Sequence, residues 1–317
     1  MYNFNPDKIQ IGISSCLLGQ EVRFDGGHKR QHFCTDELGQ HVQYLPLCPE
    51  MGIGLGKPRP TLRLEEEGGE IFARNAKGLD VTDQLKDFSR NSQPVFDVIS
   101  GYIVCAKSPS CGMERVKIYQ PGTKFNVSNG VGIHTQELMN LHPDMPIEEN
   151  GRLNDLKLRE NFITRLYTYH QWLTLKHEGL TPAKLIDFHS RFKFLMLAHD
   201  QKTYYELGGL LSDLSSEFQQ KSDRYIHDLM QGMKNVATRK QHCNVLQHLQ
   251  GYFKDYMTSA QRQELADLIE NYRLGLLPLL APMTMIKHYL NEYPNEYIQN
   301  QEYLNPHPNT LALRYGI

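Results

Sequence analysis

Ile103-Val104-Cys105-Ala106-Lys107-Ser108-Pro109-Ser110-Cys111-Gly112 is an apolar, β-branched run that breaks into a Ser/Pro/Gly turn and ends on a cysteine. β-Branched residues suit a pleated, buried surface, whereas Ser, Pro and Gly favour turns. The stretch therefore reads as a buried strand that delivers a thiol to a loop. Two earlier stretches repeat the arrangement. Ile11-Gly12-Ile13 runs into Ser14-Ser15-Cys16-Leu17-Leu18-Gly19, and Val42-Gln43-Tyr44-Leu45 runs into Pro46-Leu47-Cys48-Pro49-Glu50. Three strand ends carry three cysteines, read here as one site.

Working outward, strands are expected at Ile9 to Ile13, Val42 to Leu47 and Ile103 to Ala106. A surface hairpin is expected from Leu62-Arg63-Leu64 and Glu70-Ile71-Phe72-Ala73 around Gly68-Gly69. Val81 to Ser100 reads as a helix that Pro94 kinks or divides, and Gly132 to Leu141 as a shorter one. Strands alternating with helices argue an α/β fold with an open, mainly parallel sheet. In such sheets ligands sit beyond the carboxyl ends of the strands, which lets cysteines far apart in sequence meet there.

Pro143, Pro146 and Glu148-Glu149-Asn150-Gly151 read as a linker. The expected domains are therefore an α/β domain at residues 1–150 and a second, all-α domain at 151–317. In the latter, Thr181-Pro182 supplies a helix start ahead of an amphipathic run to His199. Thr258-Ser259-Ala260-Gln261 resembles a capping box, followed by Leu265, Leu268, Ile269 and Tyr272 at helical spacing until Gly275.

The 317 residues are enough for two domains with cores of their own. No signal peptide is visible, and the longest apolar stretch, Leu274 to Met285, is broken by Pro278 and Pro282. A cytoplasmic protein is expected, with neither a membrane nor a DNA partner. Six cysteines in that setting read as thiols or ligands rather than as a disulfide framework. Net charge is −2; residues 1–150 hold 15 Lys/Arg against 19 Asp/Glu, and 151–317 hold 19 against 17. The second half is compatible with RNA contact, but its slight basic excess does not argue for it alone.

Taken singly, Cys16, Cys48 and Cys111 also read as buried thiols, a common fate of free cysteine. Their shared context argues for a site. Soft thiolates select zinc, Cu(I) or iron–sulfur clusters. Three thiolates without a nearby histidine suit a cubane cluster that keeps one iron free, and a three-cysteine zinc site with an open position is the other arrangement. Cys105 is expected to point into the core. Cys34 and Cys243 have no part in these motifs.

Ser15-Cys16-Leu17-Leu18-Gly19 with Val22-Arg23-Phe24-Asp25-Gly26, then Cys48-Pro49-Glu50 with Gly54-Leu55 and Pro58-Arg59, then Lys107-Ser108-Pro109-Ser110-Cys111-Gly112, resemble the thiouracil desulfidase (TudS) family. Residues 153–317, including Asn244-Val245-Leu246-Gln247-His248-Leu249-Gln250-Gly251-Tyr252-Phe253, resemble the YbgA-like helical domain, and the fusion resembles the tRNA 4-thiouridine desulfidases. The resemblance implies a 4Fe-4S cluster held by Cys16, Cys48 and Cys111, with one open iron that takes the sulfur of a thiolated pyrimidine. It also implies non-redox removal of sulfur from 4-thiouridine in tRNA to give uridine. Glu50, two residues after a ligand, is the expected general acid or base. A catalytic serine is implied on the last motif, Ser108 in preference to Ser110. Arg23, Asp25, His28 and Arg59 match family positions where structural ion pairs and substrate contact are both open. Lys107 is a candidate for phosphate contact.

In the helical half, Lys234, Arg239, Lys240 and His242, next to Gln247, His248, Gln250, Tyr252 and Lys254, mix basic, amide and aromatic groups that suit RNA. The plainer alternative is a solvated helix face. Trp172 is expected in the core. Two rival functions stand beside the tRNA desulfidase: a desulfidase of free thiouracil or thionucleosides, and a non-catalytic iron–sulfur protein that binds RNA or senses redox state. Glu50 favours catalysis, because a sensor needs no acid–base group.

Overall fold

The computed structural model describes residues 3–314. The chain divides into two compact units, Met1–Asn154 and Asp155–Ile317. The first contains strands β1 (Gln10–Ser14), β2 (Gln43–Leu47), β3 (Leu62–Glu67), β4 (Glu70–Asn75), β5 (Tyr102–Val104), β6 (Val116–Tyr119), β7 (Asn126–Gly130) and β8 (Ile147–Glu149). Its helices are α1 (Pro49–Gly52), α2 (Thr82–Asn91), α3 (Gln93–Phe96) and α4 (Ile133–Leu141).

One sheet has the order β2-β1-β5-β8, with all three pairings parallel. This is the parallel α/β sheet expected from the strand–helix alternation. Its central strands are buried on both faces, as continuous apolar runs require: Ile11, Ile13, Ile103 and Val104 have no exposed surface. Gly12 is needed there because a Cβ would stand 2.2 Å from the Tyr102 ring of the neighbouring strand.

The second sheet was not anticipated. The expected hairpin forms as β3 and β4, but it continues through β6 and β7 in the order β4-β3-β6-β7, with β3 parallel to β6. Leu62, Leu64, Ala73 and Val116 from this sheet pack with Val81, Leu85 and Ile133. Pro94 divides the helix expected over residues 81–100, which breaks at Ser92 and ends at Phe96.

The linker reading around residues 148–150 is corrected. Ile147–Glu149 is a fully buried strand of the parallel sheet, paired with β5. Its carboxylates stay buried because Arg152 Nε donates to Glu148 Oε1 at 2.7 Å and Arg115 Nη2 to Glu149 Oε1 at 3.0 Å.

The second unit is all helical: α5 (Leu156–His177), α6 (Pro182–His199), α7 (Gln201–Leu210), α8 (Phe218–Gly232), α9 (Arg239–Gly251), α10 (Ser259–Arg273), α11 (Leu280–Glu292) and α12 (Glu296–Gln299). Thr181 caps α6 by accepting from the Lys184 N–H, and Thr258 with Gln261 forms the capping box of α10. Thr238 and Gln241 form another on α9. Trp172 is buried as expected, packed on Phe188 and Tyr225. No helix of the described residues is long and apolar enough to cross a membrane.

Candidate active site

Parallel pairing brings the carboxyl ends of β1, β2 and β5 side by side, with Ser14 opposite Leu47 and Ile13 opposite Ile103. Each end then releases its cysteine differently. Cys16 lies in a 3-10 turn, Ser15–Leu18, stopped by Gly19 at φ 89°. Cys48 is the residue before α1, where Pro49 fixes the first helical φ. Cys111 follows the Ser108-Pro109-Ser110 loop, which folds back so that Gly112 N–H donates to Ser108 O at 2.8 Å. The three cysteines line one cavity of about 340 Å³, together with Glu50, Arg59, Ser108 and Lys107.

Cys105 adds to the cysteine reading. It is buried as expected, but it stands just past β5 and also lines the same cavity. Its N–H donates to Ser14 Oγ at 3.1 Å. The neighbouring Cys105 thiol, with burial adding to the effect, pushes the Cys16 thiol up, and Cys16 in turn draws the Cys105 thiol down. Burial pushes the Cys48 and Cys111 thiols up as well. These are groups that part with their protons when a cation compensates the charge. Cys34 is buried outside the cavity wall, and Cys243 sits in α9 of the other unit with its sulfur on Ile269 O.

Glu50 is held from two sides. Arg59 Nε donates to Glu50 Oε2 at 2.8 Å and Ser110 Oγ to Glu50 Oε1 at 2.9 Å. Arg59 is itself buried and fixed, donating to Gly56 O at 2.6 Å and Val22 O at 3.0 Å. Charge-assisted bonds of this kind give the carboxylate one orientation. The two serines separate in role. Ser110 is wholly buried and absent from the cavity wall. Ser108 is on that wall, and its oxygen accepts the N–H groups of Ser110 (3.2 Å) and Cys111 (3.1 Å), leaving its own proton for a ligand.

Arg23 joins the cavity wall with its guanidinium 5.5 Å from the Phe24 ring. Asp25 does not; its Oδ1 closes a turn by accepting the Gly27 N–H at 3.0 Å. His28 is exposed and accepts from Arg30 N–H through Nδ1. Sequence reasoning missed Lys29, Thr61 and Leu62 as wall residues, along with Cys105. Only Cys105, one residue beyond a strand, carried a signal that could have been read.

In the helical unit, Arg239 and Lys240 at the start of α9 line a cleft with Lys157 and Arg273. Lys234 is not part of it; its Nζ donates to Gln231 Oε1 at 2.6 Å. His242 is withdrawn from any RNA-facing role, being buried with Nδ1 2.9 Å from the Tyr303 hydroxyl. His248, by contrast, is exposed.

Residues 11–150 match the profile of the 2-thiouracil desulfurase family, and residues 193–308 that of a family of unknown function, DUF1722. The uncharacterized protein YbgA of Escherichia coli strain K12 is 37% identical over 168 residues, which span 52% of this chain and 98% of YbgA. The chain belongs to the YbgA family. Ahead of the YbgA-like half it carries a 2-thiouracil desulfurase domain, the order expected from the motifs. Among solved structures, the [4Fe-4S]-dependent thiouracil desulfidase TudS is 30% identical, with a TM-score of 0.39, covering 46% of this chain and 94% of that one.

Proposed function

We propose that this chain is an iron–sulfur-dependent desulfidase that removes the sulfur of 4-thiouridine in tRNA to leave uridine. The observation that carries the proposal is the convergence of Cys16, Cys48 and Cys111 with Glu50 and Ser108 on one cavity at the carboxyl edge of the parallel sheet. The donor set fits a 4Fe-4S cluster. It is made of soft thiols, with no histidine on the cavity wall. Among the described residues, no three His, Cys, Asp or Glu side chains gather as ligands of a single metal ion. Cys16, Cys48 and Cys111 would hold three irons; the cluster would supply a Lewis acid for the thiocarbonyl sulfur.

The protein's own contribution follows from its hydrogen bonds. Glu50, oriented by Arg59 and Ser110, moves a proton to or from the water that replaces sulfur on the pyrimidine carbon. Ser108 offers its hydroxyl proton to the heterocycle or that water. Water supplies the oxygen and sulfur leaves as sulfide, so no electrons need be exchanged overall. A base within folded RNA must also be unstacked, which costs a few kcal/mol. The cleft of Lys157, Arg239, Lys240 and Arg273 supports the assignment of RNA holding to the helical unit, since phosphate contacts offset such a cost.

The second reading, action on free thiouracil or thionucleosides, is favoured by the family description at residues 11–150. Turnover of thiolated tRNA against free 4-thiouracil by the same cluster-loaded protein separates the two. A kcat/KM higher for tRNA supports the proposal, and a preference for the free base overturns the tRNA assignment in favour of the second reading.

A further inference from the structure

Tyr102 opens β5, and its ring lies so closely across Gly12 of β1 that a Cβ there would overlap it. Phe96 and His134 meet the ring edge-on, at 6.4 Å and 5.8 Å between centroids. The side chain has no exposed surface, and its hydroxyl has no hydrogen-bond partner among the described residues. A hydroxyl buried in that way loses its bonds to water and gains none, whereas phenylalanine would fill the same space without the loss. The hydroxyl therefore calls for an acceptor.

The surroundings show where one would stand. The start of α4 grips the cysteine loop and sets His134 behind it: His134 N–H donates to Ser110 O at 3.0 Å, and Thr135 Oγ1 donates to Cys111 O at 2.7 Å. Burial holds the Tyr102 phenol well above its usual range, and the charges of Cys111, Cys48 and Cys16 push it further the same way. The groups acting on the hydroxyl are thus the three expected cluster ligands, and Tyr102 stands behind the cavity wall that they line. His134 is the rival acceptor. Ser89 Oγ donates to Leu85 O at 2.9 Å, so the proton between Ser89 and His134, 2.7 Å apart, sits on Nδ1 and leaves Nε2 bare. Yet Nε2 is unpartnered as well, and no hydrogen bond joins the two rings.

We propose that the Tyr102 hydroxyl donates a hydrogen bond to a sulfur of the bound iron–sulfur cluster, at Cys111 or Cys48. This rests on the reading that the cysteine cavity holds a 4Fe-4S cluster. A thiol is a weak acceptor, whereas a cysteine sulfur bound to iron has given up its proton and carries negative charge. Hydrogen bonds to cluster sulfurs favour the more negative, reduced form and so raise the reduction potential. They also draw electron density away from the irons, which suits a Lewis acid.

Tyr102→Phe in the full-length protein, reconstituted anaerobically, removes the hydroxyl alone. In a mediated redox titration followed by EPR, the ratio of reduced to oxidised cluster at a fixed potential should fall about tenfold, a shift of about 59 mV to lower potential for a one-electron couple. Resonance Raman spectra in H2O and D2O supply a second readout, with a smaller isotope shift of the Fe–S bands expected in the variant. Urea unfolding of the metal-free protein should show stability unchanged or raised, since no bond is lost there. Equal potentials and equal isotope shifts overturn the proposal. A drop in metal-free stability with the potential unmoved assigns the hydroxyl to His134 and overturns it too. If the wild type assembles no 4Fe-4S cluster, the iron–sulfur reading fails and takes the proposal with it, whereas a wild-type cluster whose potential the substitution leaves in place sinks the hydrogen bond alone.

Discussion

The side chains at the cavity divide the work in a way that single substitutions expose. Glu50→Gln keeps the size and, with its oxygen accepting from Arg59 and its NH2 donating to Ser110 Oγ, both neighbours, while removing the charge and the titrating group, so it should retain iron and lose turnover by about 10² or more, the scale of general acid–base catalysis. Turnover near wild type, measured with iron per chain, would demote Glu50 to a structural acceptor. Ser108→Ala should lower kcat more than Ser110→Ala, because Ser108 faces the cavity whereas Ser110 acts through Glu50. A larger loss for Ser110→Ala would reverse these roles. Iron analysis should show that Cys16→Ala, Cys48→Ala and Cys111→Ala each lose the cluster, while Cys105→Ala and Cys243→Ala keep it; loss with Cys105→Ala would add a fourth ligand. The motifs made Cys16, Cys48, Cys111 and Glu50 legible because each follows a strand within two or three residues or lies in a turn fixed by proline. The place of Cys105 on the cavity wall was hidden because its run continues the apolar strand, which ends at Val104.

At the scale of elements, the parallel sheet was readable from its apolar runs, whereas β6, β7 and β8 were not. Asn126–Gly130 is polar and mostly exposed, so its pattern resembles a loop. Ile147–Glu149 looks like a linker because two carboxylates normally mean solvent; Arg115 and Arg152, invisible to local pattern, reverse that. The cysteine loop depends on a helix start in a comparable way. A Cβ at Gly132, the residue before α4, would stand 2.6 Å from the backbone carbon and oxygen of Ser110. Backbone cannot yield as a side-chain tip can, so Gly132→Ala should destabilise the protein by about 1–3 kcal/mol and reduce iron per chain. Urea unfolding with iron analysis checks both, and unchanged values would show that the loop tolerates displacement.

For the whole molecule, the division into two compact units lets the two proposed tasks be tested apart. The expected boundary near residue 150 lies close to the contact division at Asn154 and Asp155, although the residues once read as a linker are part of a sheet. If the helical unit holds RNA, Lys157→Glu combined with Lys240→Glu should weaken tRNA binding and flatten its salt dependence by roughly 1.5 for two lost contacts. Turnover of free 4-thiouracil should scarcely change. Equal loss on both substrates would mean that these lysines support the fold instead. The central claim concerns chemistry, and one mass balance tests it most directly. Cluster-loaded protein is incubated anaerobically with thiolated tRNA and no added reductant, and 4-thiouridine, uridine and total sulfide are counted by mass spectrometry and sulfide assay. The account predicts that each 4-thiouridine lost appears as one uridine and one sulfide. Unchanged 4-thiouridine in the presence of an intact cluster, or loss that requires a reductant, would contradict it.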